Sequence, residues 1–280
     1  GEEHVAQPQS QTVDDHDIGA VAVVLEDRAE VQGCLDCRPA IVPLGSMLVD
    51  ALGHLLITGQ SGGDESLVAA GGIEVLIALA RDGNEGQKEE AAGALWNLAY
   101  NDDSSVAIAA AGGVEVLIAL ARDGTEIQKG GAALALSNMI EAAPGTHEGV
   151  VEAGGVAVLS SLTQEASASD DCKLAAAISL VYLTSTCPDL PADDTCLSLL
   201  LSRLDQPEEN GWRRDSINAL LALAASSSAC AEQWHRVGGV AALQALARET
   251  AEEGVERQAE RCNQALVSLG VRRVRRRTAA

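Results

Sequence analysis

The sequence predicts an all-α, right-handed superhelical solenoid of about six three-helix units, and three observations carry that reading. Residues 69–83 (AAGGIEVLIALARDG) return almost unchanged at 110–124 (AAGGVEVLIALARDG), 41 residues later. Gly-Gly pairs continue the series at Gly71-Gly72, Gly112-Gly113, Gly154-Gly155 and Gly238-Gly239. Apolar residues make up 47% of the 280, aromatics only 2%, and Phe is absent. Such a core is built from Leu, Val, Ile and Ala, and Ala-rich layers suit helices that pack closely.

Each unit follows one grammar. A short apolar segment, Val106–Ala109 in the best copy, runs into Gly-Gly, which breaks it. A medium helix follows, with Val114, Leu117, Ile118 and Ala121 at the spacing of one helical face. Arg122 sits in its last turn, where a cation suits the helix dipole, and Gly124 is expected to end it in a left-handed conformation. A longer helix is expected from about Gln128-Lys129, carrying Leu134, Leu136 and Met139. The last gap between Gly-Gly pairs is twice the period. A degenerate unit therefore belongs near Cys196, where CLSLLLSRL supplies the apolar helix without its glycines.

The expected organisation is an acidic and polar arm at 1–27, a solenoid at 28–270 and a basic tail at 271–280. The units fall at about 28–68, 69–109, 110–151, 152–193, 194–235 and 236–270. Each buries its apolar faces against its neighbours alone, so stability is nearly a sum along the stack.

Charge narrows the partners. Lys and Arg number 19 against 41 Asp and Glu, a formal net charge of −22. Five arginines crowd into 272–277, so the body before them is more acidic still. Such a body repels phosphates, which argues against nucleic-acid binding and for protein or peptide ligands of basic character. Seven cysteines, odd in number and widely scattered, read as reduced thiols in the cytoplasm or nucleus. No apolar run reaches the length of a membrane span, the first residues show no signal peptide, and a monomer is expected.

The stretch 69–101, AAGGIEVLIALARDGNEGQKEEAAGALWNLAYN, and its copy at 110–141 resemble the armadillo repeat, and GALWNL (93–98) is close to the family's third helix. The Gly-Gly break and the Leu-x-Asn-Leu ending favour armadillo over HEAT repeats. The resemblance implies that third helices line a concave groove in which extended peptides lie. It also implies that the Asn of Leu-x-Asn-Leu grips the peptide backbone, since a carboxamide both donates and accepts. That Asn is Asn97 and Asn138 here; the equivalents in other units are His54, Tyr182, Ala222 and Ser268. The importin-α branch places Trp four residues earlier, where this chain has Asp50, Gly93, Leu134, Ile178, Asn218 and Gln264. Nuclear-import carriage is therefore a weaker reading.

Trp96, beside Asn97, is a candidate groove-edge anchor or a wedge between units. Trp234 stands in the Ile108 slot and is expected in the core, while Trp212 opens the long helix of the fifth unit. Glu90 lies seven residues before Asn97 on the same face, Asp50 four before His54, and Asp215 seven before Ala222. Together they would make the groove negative. Cys34 and Cys37 form a lone CxxC without the second pair that zinc needs. No nucleophile elbow, HExxH or phosphate loop is present, so no catalytic, metal or cofactor site is expected. The functional reading is a non-enzymatic interaction scaffold or adaptor. The alternatives are the substrate-binding part of a larger ubiquitin ligase or kinase, or a vacuolar-membrane type of adaptor, whose lipidation signal is missing.

Overall fold

The computed structural model describes residues 72–187, 190, 193–206, 211–226, 231–252 and 255–271. The arm, the first unit with His54 and the CxxC pair, and the tail beyond Val271 lie outside the described residues. Among the described residues there are thirteen α-helices: α1 (Gly72–Asp82), α2 (Glu85–Leu98), α3 (Asp102–Ala110), α4 (Gly113–Asp123), α5 (Glu126–Ala142), α6 (His147–Glu152), α7 (Gly155–Gln164), α8 (Asp170–Thr186), α9 (Asp194–Leu201), α10 (Trp212–Ser226), α11 (Ala231–Arg236), α12 (Gly239–Glu252) and α13 (Glu256–Ser268). No strand occurs among them. The long helices α2, α5, α8, α10 and α13 each pack on the next and form one layer. The medium helices α1, α4 and α7 pack in the same succession outside it, and each medium helix packs on the long helix that follows it. This is the repeat packing of an α-solenoid.

The Gly-Gly pair does two different jobs. α3 and α4 meet at 85°. Gly112 has φ +78°, a left-handed turn that costs a residue with a Cβ roughly 1–2 kcal/mol. Gly113 has no such φ, but a Cβ there would overlap the Ile108 side chain and lie 2.8 Å from the Ile108 carbonyl oxygen. One glycine bends the chain, and the other lets the two helices close at the corner. Gly154-Gly155 and Gly238-Gly239 repeat the arrangement, with Val150 and Trp234 in the Ile108 position. Trp234 is fully buried there, as its slot predicts, but its indole N–H has no partner.

Two local expectations are corrected. Gly124 is not left-handed: φ is −77° and ψ 175°, an extended exit from α4. It is glycine because a Cβ would crowd the Leu120 carbonyl oxygen and come within 2.8 Å of Gln128 Cβ. The long helix begins at Glu126, before Gln128, because Thr125 caps it. Thr125 Oγ1 accepts from the Gln128 backbone N–H, and Gln128 Oε1 accepts from that of Thr125, a reciprocal box that Asn84 and Gln87 repeat in α2.

The caps also join the units. The Gln128 amide donates to the Glu85 carbonyl at 3.0 Å, and the Thr125 hydroxyl to Glu89 at 2.9 Å. Lys129–Glu165, Arg213–Glu249 and Arg236–Asp194 bridge successive units further on. The long helices bury small residues: Ala91, Ala92, Ala132, Ala133, Ala175, Ala176 and Ala177 are all wholly buried, and Gly131 of α5 lies close against Ala92 of α2. This close spacing aligns the long helices and sets their outward faces side by side.

Candidate functional site

Four consecutive long helices leave a cleft of about 440 Å³ along their shared face. Trp96 and, just past the end of α2, Tyr100 form one end. α5 adds Leu134, Ser137, Asn138 and Glu141; α8 adds Asp171 and Ile178; α10 adds Trp212 and Asp215. The helical period puts Leu134, Asn138 and Glu141 on one face, so α5 contributes a whole stripe.

The Trp96 and Tyr100 rings are tilted by 43° with centroids 6.4 Å apart, within the range of favourable aromatic pairs. Trp96 packs on the core, its indole N–H is enclosed without a partner, and the residue also lines the cleft. The Asn138 amide donates to the Trp96 carbonyl at 3.3 Å, so this carboxamide already grips a backbone group of the preceding unit. The Tyr182 hydroxyl donates to Glu141 at 3.0 Å. Asp215 accepts from the Arg214 guanidinium at 3.0 Å.

Electrostatically the cleft is negative. Burial in the recess pushes the Glu141 carboxyl above its ordinary range, and the nearby Asp215 charge pushes the same way; the Tyr182 hydrogen bond and Arg214 offset part of this. Burial likewise raises the Tyr182 phenol, reinforced by Glu141 and Asp215. The Asp215 charge of α10 therefore acts on both Glu141 of α5 and Tyr182 of α8.

Of the residues singled out in the sequence, Trp96, Asn138 and Asp215 come together in the cleft, with Tyr182 bonded to its Glu141. Asn97 is half-buried on α2 and Glu90 is exposed there; neither lines the cleft. Leu134 and Ile178, in the slots where the import carriers have Trp, line it as aliphatic walls. Sequence reasoning missed Tyr100, Ser137, Glu141 and Asp171. A signal existed for two of them: Tyr100 and Glu141 are 41 residues apart, each three past its Leu-x-Asn asparagine.

Comparison with known proteins agrees with this fold. Residues 64–100 match the Armadillo/beta-catenin-like repeat family. A stretch of 53 residues is 47% identical to Protein ARABIDILLO 2 of Arabidopsis thaliana; it covers 18% of this chain and 6% of that protein. An engineered protein solved by a structural genomics consortium is similar in structure, with TM-score 0.65 and 26% identity over 92% of this chain and 99% of its own. A designed armadillo repeat protein in complex with the peptide (KR)4 is similar in fold at TM-score 0.55 and 23% identity, over 78% of this chain and 92% of its own. With the family's repeat matched at 64–100 and the packing of armadillo solenoids in its structure, the chain carries an armadillo repeat and folds as an armadillo-type solenoid.

Proposed function

We propose that this chain is a non-catalytic scaffold that takes extended basic segments of partner proteins into the cleft along α2, α5, α8 and α10. Armadillo repeats generally bind proteins or peptides, and the related designed protein holds (KR)4. The observation that carries the reading is the cleft itself, which crosses four units and sets Glu141, Asp171 and Asp215 beside aromatic rings. Cations are drawn there by charge, and their aliphatic stems and planar groups pack on rings. Asn138 and Trp96 line the track, Tyr182 holds Glu141 in place, and Asn97 and Glu90 on α2 are candidates to extend it. The reading needs no metal or cofactor. It places a monomer in the cytoplasm or nucleus, consistent with four described cysteines that are all unpaired thiols.

The test is fluorescence anisotropy of a labelled (Lys-Arg)4 peptide at about 0.05 M and about 0.5 M salt, a range over which screening strengthens markedly. Binding should weaken with salt and collapse in the triple variant Glu141→Gln, Asp171→Asn, Asp215→Asn. A triple variant that binds as the parent does, or an acidic peptide that binds equally well, overturns the reading.

A further inference from the structure

The cleft is uneven along its length. At the α2 end it presents Trp96 and Tyr100 with Leu134 of α5 beside them, and α2 contributes no carboxylate to the lining. Tyr100 is 66% exposed, an aromatic ring left open where the neighbouring unit does not cover it. Towards α10 the lining gains the carboxylates Glu141, Asp171 and Asp215, with the Trp212 ring of α10 beside them. Glu141 accepts from Tyr182 with Oε1, and Asp215 accepts from Arg214 with Oδ1. The other oxygen of each carboxylate has no hydrogen-bond partner among the described residues. Two carboxylates that repel one another in a partly desolvated recess are stabilised by a cation between them, and a planar guanidinium can hydrogen-bond both at once.

We propose that the cleft reads a two-part motif: an aromatic or large aliphatic side chain on the Trp96–Tyr100–Leu134 seat, and an arginine side chain between Glu141 and Asp215. This rests on the peptide-scaffold reading and narrows it from general basicity to an ordered pair of anchors. Geometry sets the spacing. The first seat is centred between α2 and α5 and the second between α5 and α10, about one and a half helix spacings apart, roughly 14 Å at about 9 Å per packed helix. An extended segment at about 3.3 Å per residue covers that in about four residues. Side chains of an extended segment alternate, so both anchors reach the cleft floor when they are four residues apart. A hydrophobic anchor at one end and a charged one at the other also exclude a ligand of uniform charge from filling both seats well. Glu141, raised by its burial and by Asp215, relaxes towards its ordinary range when the guanidinium arrives, which favours occupancy of that seat.

The experiment uses the whole chain and labelled Gly/Ser peptides that carry one Phe and one Arg four residues apart, made in both orders. Companion peptides replace Phe by Ala, replace Arg by Ala, or set the two side by side. Anisotropy titrations are run on the parent chain, on Tyr100→Ala, and on the double variant Glu141→Gln, Asp215→Asn; Tyr100 is exposed, so its loss leaves folding intact, and circular dichroism checks every variant. In at least one order, each peptide substitution should weaken binding to the parent about tenfold, an ordinary anchor contribution. The Arg effect should vanish in the carboxylate variant while the Phe effect persists, and the reverse should hold in Tyr100→Ala. A Phe→Ala peptide that binds like its parent in both orders, or an Arg effect that survives loss of both carboxylates, overturns the two-part motif. If (Lys-Arg)4 still binds in a salt-dependent way while those patterns fail, the motif falls and the scaffold reading stands. If neither peptide class binds, both fall.

Discussion

Alanine in place of glycine should have opposite effects at different points of this repeat, and the structure fixes the order. Gly93 lies inside α2 and Gly130 inside α5, and a Cβ at either meets no atom within 4 Å. There the exchange removes only the entropic weakness of glycine in a helix, so Gly93→Ala and Gly130→Ala should each stabilise by about 0.5–1 kcal/mol. Gly112 has similar space, its nearest neighbour being Glu115 Oε2 at 3.8 Å, but its φ is +78°. Gly112→Ala should therefore destabilise by about 1–2 kcal/mol through backbone strain alone. Gly113→Ala adds a methyl where the Ile108 side chain already stands, 2.8 Å from the Ile108 carbonyl oxygen and 3.3 Å from Ile77 Cδ1. A side chain can rotate away, but the carbonyl of the preceding helix cannot. The expected cost is about 1–3 kcal/mol, at the upper end because the corner is closed on three sides. Urea unfolding followed by far-ultraviolet circular dichroism ranks the four variants. Hydrogen exchange at Leu117 shows whether the loss is local to α4, as it should be in a stack of units. A Gly113→Ala midpoint at or above that of the parent chain would refute the argument that Gly-Gly closes the corner.

Three further outcomes follow from the same geometry. Because Glu141 holds its proton more tightly in the folded protein than a free carboxyl does, a cationic ligand that favours its ionised form expels that proton on binding. Affinity for a basic peptide should rise as pH rises through Glu141's raised pKa and then level off; calorimetry in two buffers of different ionisation heat should show proton release, and uptake counts against the reading. Thr125→Ala removes the cap acceptor of α5 and the hydroxyl that donates to Glu89, so it should lower stability by about 1 kcal/mol or somewhat more, read from the unfolding midpoint. Burial first, and Glu165 and Asp193 after it, push the thiols of Cys172 up to about 11 and Cys196 up to about 12, and burial lifts Cys262 to about 11. At about pH 8 these should resist alkylation until the chain is unfolded, whereas half-exposed Cys187 reacts in the folded protein, as site-resolved mass spectrometry will show.

The repeat was legible before any coordinates because its determinants are local. Val114, Leu117, Ile118 and Ala121 are spaced for one helical face, and all four are buried. Gly112-Gly113 sits where the chain must turn within two residues, and Trp234 is buried in the slot that Ile108 and Val150 also fill as core residues. The failures were also local. Thr-x-x-Gln at 125–128 is a visible cap signature that moves the start of α5 to Glu126, and Gly124 marks a close approach, not a left-handed turn. The cleft is a different kind of object. Its walls come from residues as far apart as Trp96 and Asp215, which share no motif and meet only because four long helices stack at one spacing. Periodicity says which positions of each unit face outward, but every unit offers several such positions. Which of them converge depends on how each helix is turned against the next, a property of the packed stack and of no single unit. Thus Trp96 and Asn138 share the cleft while Asn97 stays out of its lining, and Glu141 is raised by burial first and also by the charge of an aspartate 74 residues away. The helical grammar of one unit is contained in about 42 residues of sequence. A surface shared by four units exists only in their packing.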